Sequence, residues 1–362
     1  MATICQIGCG MIGKVMALDI SKRHDLHLSD LNQSSLYEVK ALDPTIKTKC
    51  FNFNNINVLK SFLEPADIVL VAVPGHLGYN LLKTIIGLKK NIVDISFSPE
   101  NLLSLDKMAK QNGVTVVFDA GLAPGIPNFL LGNISMKENV KKFKYLVGGL
   151  PKNPTPPYNY KAPFSPIDVV EEYTRPARIM KNGRVIIKPA LTDIEQKYYP
   201  KIGMLEGFNT DGLRSILSTM KHIPNMVEKT LRFPGHAQLI NEEIKSGKII
   251  PGDQDNLDRL FKLWKLSSGE LEFTVLDIII ETETRTHNYF LYDETNLKEN
   301  TTSMARTTGY TASAVVDILD RKIFIEKGVF SPELVGSNMQ VVNYLLNHLE
   351  AKNIQIKNKL KQ

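Results

Sequence analysis

Thr3-Ile-Cys-Gln-Ile-Gly8-Cys9-Gly10-Met11-Ile12-Gly13 decides how the first third of this chain is read. Thr3 to Ile7 is a short, largely apolar run with the look of a buried strand. Ile12, Val15, Met16 and Ile20 then recur at helical spacing, so the spacing predicts a helix that opens inside the glycine turn. Gly-x-Gly-x-x-Gly by itself occurs by chance. Between a strand and a helix it is the pattern of a dinucleotide-binding turn. The first glycine permits the tight turn, the second lets the backbone approach a pyrophosphate, and the third lets the helix pack on the strand. Anionic phosphates then meet free N–H groups and the positive end of the helix dipole. Gly8, Gly10, Met11, Ile12 and Gly13 are therefore the candidate cofactor-binding residues of the turn.

The next strand, His27-Leu28-Ser29-Asp30, ends in an acid. Asp30 is placed to hold ribose hydroxyls. Its charge would repel a 2′-phosphate, and no arginine follows in Leu31 to Ser35, so NAD is favoured over NADP. Further on, Asp67 to Val73 is an apolar run suited to the centre of a parallel sheet. Val73 and Pro74 follow the same logic and are assigned to the far half of the cofactor. His76 reads as a loop histidine lining the nicotinamide ribose, or simply exposed, rather than as a catalytic group. Asn91 to Ile95 and Val114 to Phe118 are two more strands, with helical stretches at Leu77 to Gly87 and Pro99 to Asn112. Strand–helix alternation to about residue 120 predicts a Rossmann-type, doubly wound parallel sheet in an α/β protein.

The pattern changes after Pro124. Pro151 to Pro157 is stiff loop. Arg184 to Lys188, Thr230 to Phe233 and Phe273 to Thr282 read as half-exposed strands, and predict a central α+β domain with a mostly antiparallel sheet and helices on one face. Met304 to Leu319 is a helix rich in small residues, expected to return to the first domain. The expected organisation is 1–122 dinucleotide-binding, 123–302 substrate binding and subunit contact, and 303–350 returning to the first domain. Ala351 to Gln362 reads as a solvated helix end.

Length and composition agree with this. The 362 residues exceed one small core, and 43% hydrophobic with 23% charged residues is ordinary globular usage. Net charge is +6, from 44 basic and 38 acidic residues. The positives are scattered with no aromatic-interleaved stripe, so nucleic acid is excluded as the expected partner. Cys5, Cys9 and Cys50 make neither a disulfide framework nor a zinc pattern, and no metal is expected. No apolar run is long enough to span a bilayer, and a strand begins at once with no signal peptide ahead of it. A cytoplasmic protein without membrane contact is the expectation.

Several distant segments are specific in combination. They are Asp119-Ala-Gly-Leu-Ala-Pro-Gly125, Phe164-Ser-Pro166, Val169-Val-Glu-Glu-Tyr-Thr-Arg-Pro176, Asn209-Thr-Asp-Gly-Leu-Arg214, Thr230-Leu-Arg-Phe-Pro-Gly-His236, Met304-Ala-Arg-Thr-Thr-Gly-Tyr310 and Gly328-Val-Phe-Ser-Pro-Glu333. Together they resemble the saccharopine dehydrogenase family, most closely its lysine 6-dehydrogenase branch. The resemblance runs from Thr3 to about Glu333. It implies a dinucleotide-binding domain built from both chain ends, a central domain supplying substrate and subunit contacts in a homo-oligomer, and oxidation of a C–N bond. For that branch it implies L-lysine as substrate, with the ε-semialdehyde and ammonia as products. Saccharopine reductases resemble Gly-Leu-Asp-Pro-Gly at the loop after the fifth strand, where this chain has Ala123. Ser96, Phe97 and Ser165 match family positions on the nicotinamide side.

Amine oxidation requires a neutral nitrogen, hence a general base. An amino-acid carboxylate is best fixed by a guanidinium. Asp119 ends a strand and ranks first among the carboxylates, either holding the amine or acting as base; a turn cap would explain it equally. Asp94, also near a strand end, ranks below it. Arg232 is the first candidate for the carboxylate anchor, with Arg214 and Arg306 competing. Asp211, in a turn-like Asn-Thr-Asp-Gly, is a further substrate-site candidate. His236 is a polar wall or proton carrier, though a histidine opening a helix is more often structural. Two rival readings remain: reductive condensation of an amine with a carbonyl acid, as in saccharopine or carboxynorspermidine formation with NADPH, and a non-catalytic dinucleotide sensor.

Overall fold

The computed structural model describes residues 1–163, 166–267 and 269–358. The chain divides into two compact units, Met1–Asn133 with Ala305–Asn353, and Ile134–Met304 with Ile354–Gln362.

The first unit holds a seven-stranded parallel sheet. Its strands are β1 (Thr3–Ile7), β2 (Asp25–Asp30), β3 (Lys47–Cys50), β4 (Ile68–Val71), β5 (Asn91–Asp94), β6 (Thr115–Val117) and a late strand, Gly328–Phe330. The order is late strand, β6, β5, β4, β1, β2, β3. The order reverses beside β1, which pairs with β2 on one side and β4 on the other. That reversal opens a crevice at the carboxyl ends of the strands, the usual ligand position in such sheets. β4 is Ile-Val-Leu-Val, buried at all four residues, as a strand covered on both faces must be. Four helices follow the first strands: α1 (Met11–Ile20), α2 (Gln33–Leu42), α3 (Ile56–Leu63) and α4 (Gly75–Gly87).

Helix Ser303–Asp320 packs on α1 through its small residues. A Cβ added at Gly309 would stand 3.2 Å from Met16 and 3.5 Å from Val15. Buried ions fasten the same elements. Asp19 on α1 accepts from Ser313 at 2.7 Å and pairs with Arg23 and Lys352. Asp317 accepts from His24 and from Tyr344 of helix Met339–Ala351, at 2.8 and 2.9 Å.

One helix expected from the sequence is broken. In place of a helix over Pro99 to Asn112 there is a 3-10 turn, Leu102–Leu105, and then a short helix, Asp106–Gln111. Asn101 has extended backbone and caps the turn by accepting the Leu103 N–H at 3.1 Å, so helix cannot start before it.

The second unit is built on a nine-stranded sheet. Its strands are β7 (Val140–Pro151), β8 (Ala177–Lys181), β9 (Arg184–Lys188), β10 (Glu195–Tyr199), β11 (Gly203–Asn209), β12 (Asn225–Arg232), β13 (Glu272–Thr282), β14 (Thr286–Glu294) and a tail strand, Ile356–Asn358. The main path runs β10, β11, β12, β7, β13, β14, tail, with β8 joining β12 to β9. Neighbours are antiparallel except β12 and β7, so the sheet is mixed. Helices Pro166–Thr174, His236–Lys245 and Gln254–Trp264 contribute to a core around the fully buried Trp264.

The tail corrects an expectation. Over its described residues, up to 358, it is not a helix end: helix Met339–Ala351 stops, Ile354 is buried, and Ile356 pairs with Leu291 of β14, while 359–362 lie outside the described residues. Ile354 and Ile356 carry a strand period that the interspersed lysines hide.

Candidate functional site

In the first unit the glycine turn has the geometry its sequence requires. Gly8 has φ +108°, and a Cβ there would lie 2.2 Å from the Ala72 carbonyl oxygen, so only glycine fits. A Cβ at Gly13 would lie 2.4 Å from the Gly8 oxygen, which is the close helix–strand packing expected of the third glycine. At Gly10 a Cβ would meet nothing within 4 Å. The space above the second glycine is thus open, as a close-approaching phosphate needs. Gln6 braces the turn from below, donating to the Gly8 and Gly13 carbonyls at 2.9 and 2.7 Å. α1 starts at Met11 with no side-chain cap and no acid in its first turn. Its leading N–H groups are therefore available to an anion, whereas α2 and α3 are capped by Asn32 and Asn55.

Asp30 ends β2 beside this turn. Its Oδ2 accepts the Cys9 N–H at 2.6 Å and its Oδ1 the Asn32 N–H at 2.7 Å. Val73 and Pro74 follow β4, Pro74 as the N-cap of α4. His76 is exposed on α4 and lines a cleft of about 400 Å³ with Phe53, Asn54, Leu77 and Asn80. Burial pushes the Cys9 thiol up to about 12, so it is neutral and acts as packing. The turn, α1 and Asp30 fit a dinucleotide.

Asp94 and Asp119 sit at the ends of the neighbouring strands β5 and β6, both buried. Asp94 Oδ1 accepts the Ser96 N–H at 3.0 Å and its hydroxyl at 2.7 Å. Asp119 has φ 53°, and the Ala120 N–H beside it reaches the Asp94 carbonyl at 3.0 Å. The two candidate acids therefore share one end of one sheet. Ser96 is buried and Phe97 half-buried in the segment after β5. Ser165 lies outside the described residues. Arg306 is buried, donates to the Lys352 carbonyl at 3.0 Å and stands over the Tyr310 ring.

The second unit gathers Arg232 and His236. Arg232 Nε donates to Tyr173 Oη at 2.8 Å, and His236 Nε2 lies 3.0 Å from the same oxygen. Arg232 also donates to the Leu231 carbonyl at 2.9 Å and to Tyr160 Oη at 3.4 Å, and it ion-pairs with Glu172 at 3.3 Å. Its guanidinium centre stands 4.3 Å from the Tyr160 ring centroid. Burial, helped by Arg232, presses the His236 pKa down to about 3, so the imidazole is neutral. Asp211 is held in a two-pronged ion pair with Arg178, at 2.9 and 2.8 Å. Arg214 is half-buried at φ 47°, opening the turn into helix Ile216–Thr219.

Sequence reading missed Glu172, Tyr173 and Glu228. A signal was present for the last: Glu228, Thr230 and Arg232 alternate along β12 and so share one face. Among the described residues no group of three or more His, Cys, Asp or Glu side chains could hold a metal.

Apart from Asp119, the residues of these two sites lie within two matched family domains. Residues 4–117 match the saccharopine dehydrogenase NADP binding domain, and residues 121–354 match the saccharopine dehydrogenase C-terminal domain. The chain belongs to the saccharopine dehydrogenase family. Among curated relatives it is 26% identical over 226 residues to the mitochondrial alpha-aminoadipic semialdehyde synthase of Rattus norvegicus, covering 56% of this chain and 24% of that protein. It is 28% identical over 233 residues to the saccharopine dehydrogenase [NADP(+), L-glutamate-forming] of Pyricularia oryzae, covering 60% of this chain and 51% of that one. The chain thus spans about a quarter of the first of these relatives and about half of the second. Apo histidine-tagged saccharopine dehydrogenase (L-Glu forming) from Saccharomyces cerevisiae superposes with a TM-score of 0.80 over the whole of both chains, at 16% identity. That likeness is one of fold. No helix among the described residues is long and apolar enough to cross a membrane.

Proposed function

We propose that this protein oxidises the carbon–nitrogen bond of an amino acid with NAD, and that its substrate is L-lysine at the 6-amino group, giving the semialdehyde and ammonia. The observation that carries the reaction class is the pairing of the glycine turn with the two family domains. A bound nicotinamide would supply the hydride acceptor. Gly8, Gly10, Gly13 and the first amides of α1 hold its pyrophosphate, and Asp30 its ribose.

The choice of cofactor rests on Asp30, whose carboxylate is fixed against the turn and carries the wrong charge for a 2′-phosphate. The choice of substrate rests on Ala123 in the loop Gly121–Gly125, where the saccharopine reductases resemble one another in an acid that serves a bulkier dicarboxylate adduct. Asp119 and Asp94 are the first-unit candidates for proton handling, and Arg232, Arg214 and Arg306 the candidates for the substrate carboxylate. We further propose a homo-oligomer, in the cytoplasm.

A second reading has its own support. The matched domain is described as NADP binding, and the relatives include an NADP(+)-dependent saccharopine dehydrogenase. On that reading the chain forms or cleaves a secondary amine with NADPH or NADP. The deciding experiment is a panel of amino acids and diamines assayed for reduction of NAD and of NADP, beside oxidation of NADPH and NADH with an amine plus a keto acid or aldehyde. Lysine-dependent NAD reduction supports the first reading. Turnover only with the two-component mixture overturns it. Tight cofactor binding with no turnover would leave a dinucleotide sensor.

A further inference from the structure

Two buried acids hold the returning end of the chain to the first unit. Asp19, in the last turn of α1, is 1% exposed, and Asp317, on helix Ser303–Asp320, is 2% exposed. Helix Met339–Ala351 brings Tyr344, His348 and, at its C-cap, Lys352. These three recur every four residues and so share one face of that helix. Tyr344 donates to Asp317 Oδ2 at 2.9 Å, and Lys352 pairs with Asp19 Oδ1. From the other side Arg23 reaches Asp19 Oδ2 and Asp317 Oδ2, each at 3.0 Å. Ser313 donates to Asp19 at 2.7 Å. The helix with its cap is thus a strap across α1 and helix Ser303–Asp320.

His348 lies between the two acids. Its Nε2 stands 3.6 Å from Asp19 Oδ2 and its Nδ1 3.6 Å from Asp317 Oδ2, and the side chain is buried. A neutral imidazole has one N–H, so one ring nitrogen would turn a lone pair toward a carboxylate. An imidazolium offers a donor to each. The acids themselves do not switch. Burial opposes their charge, but His348, Arg23 and Lys352 hold Asp19 well below the usual carboxylate range, and His24, Arg23 and Tyr344 hold Asp317 low. Lysine and arginine keep their charge through the neutral range, where histidine changes its own. His24 meets Asp317 Oδ1 at 2.8 Å through Nε2, which one N–H satisfies, and its Nδ1 stands 3.9 Å from the partly exposed Asp320. Arg321 stands over the Tyr344 ring at 5.3 Å, and Lys352 and Arg306 over the Tyr310 ring at 5.2 and 5.7 Å.

We propose that His348 is the proton-operated catch of this strap: as an imidazolium it ties Asp19 to Asp317 and closes helix Met339–Ala351 onto the first unit, and on losing its proton it grips one acid only and lets the helix loosen. The device is conformational and stands apart from the reaction proposed above. In the opening step one ring N–H bond breaks, the proton passes to water, and a lone pair is left facing a carboxylate. A histidine that gains anionic partners on folding contributes fully below its ordinary value of about 6.5, and the contribution is lost as pH rises beyond it. The strap grips the last turn of α1, the helix that opens at the glycine turn. Rising pH therefore frees the far end of the helix whose first amides are open to an anion.

The test joins NMR of the full chain carrying isotope-labelled histidine to amide hydrogen exchange across the neutral range. His348→Gln identifies the His348 ring signals and has nothing to titrate. As pH rises, one His348 ring proton should be lost. With it the protection factors over residues 339–350 should fall by roughly 3- to 30-fold, the margin of charge-assisted over neutral hydrogen bonds. His348→Gln should lack that fall. A flat profile in the parent protein, or the same fall in His348→Gln, overturns the proposal. His24→Gln keeps a donor for Asp317 and should leave the fall in place. A fall that disappears there and persists in His348→Gln makes His24 the catch and overturns the assignment. Should His348→Gln fail to fold, the parent still decides: protection of 339–350 that follows the titration of no histidine ring overturns the catch.

Discussion

Asp30 Oδ2 accepts the Cys9 backbone N–H at 2.6 Å, so the acid at the end of β2 is tied to the middle of the glycine turn. Its other oxygen accepts from Asn32. The carboxylate is thus aimed before any cofactor arrives. Replacing it by asparagine keeps the size and removes the charge. Charge-assisted hydrogen bonds contribute about 1.5–3 kcal/mol, so Asp30→Asn should raise the KM for NAD by roughly 10- to 100-fold. The KM for NADP should fall or stay unchanged. Steady-state assays with both cofactors check this, and an equal loss for both would remove Asp30 from cofactor selection.

The glycines of the turn should separate folding from binding. Gly8→Ala places a methyl 2.2 Å from the Ala72 oxygen at φ +108° and should cost about 3 kcal/mol or more, or prevent folding. Gly10→Ala meets nothing and has ordinary backbone, φ −71°. Its Tm should be within a few degrees of the parent while cofactor affinity drops, because the methyl occupies the approach of the pyrophosphate. Thermal melts with and without cofactor read both effects.

The first unit was legible because its signals are local. β1, the glycines and Asp30 lie within one stretch, and β4 is apolar throughout. The second unit was read less well for a physical reason. β7, central in its sheet, was not read as a strand, and it carries Lys141, Lys142 and Lys144, charges uncommon in a central strand; Lys142 pairs with Glu281 and Lys144 with Glu195, partners distant in sequence. Arg232 and His236 were picked out from a family motif, but the residue joining them, Tyr173, lies 59 positions from Arg232. The bonds from Thr230 to Glu172 and from Thr210 to Glu228 likewise depend on tertiary pairing of a helix, a strand and a loop. Asp211 was read as a substrate contact or a turn acid, and its ion pair with Arg178 could not be seen from either segment.

Tyr173 should prove costly to alter. Tyr173→Phe leaves a buried Arg232 N–H without its 2.8 Å acceptor and His236 without its 3.0 Å partner. An unsatisfied buried donor costs about 1–3 kcal/mol, and urea unfolding should show a loss of that size. His236 adds a pH dependence. Its folded pKa, about 3, lies below the ordinary 6.5. Its contribution is therefore fully present above pH 6.5 and is lost as pH falls from there toward 3. His236→Gln should be less steeply destabilised over that window than the parent, and parallel curves would show that the imidazole stays neutral for another reason.

Glu272 should act in the opposite direction. It lies 1% exposed on β13, and its Oε1 accepts the Ser303 N–H and, at 3.2 Å, the Met304 N–H, which begin helix Ser303–Asp320. Burial outweighs those donors and raises its pKa from 4.5 to about 8. The folded state therefore binds a proton that the unfolded chain has released once pH exceeds 4.5. Stability from this group is fully present below 4.5 and is lost as pH rises through 8. Glutamine keeps a carbonyl for both N–H groups and has nothing to ionise. Glu272→Gln should thus gain on the parent as pH rises, by at least about 1 kcal/mol at pH 9, since one pKa unit corresponds to 1.36 kcal/mol. Burial raises the Glu228 pKa to about 8 with the same sign, so the single variant should flatten the alkaline decline only in part, and adding Glu228→Gln should flatten it further. Urea midpoints from pH 5 to 9 measure this. A Glu272→Gln variant that loses stability in parallel with the parent would mean that Glu272 is ionised in the folded protein and held by the two helix N–H groups as a charge.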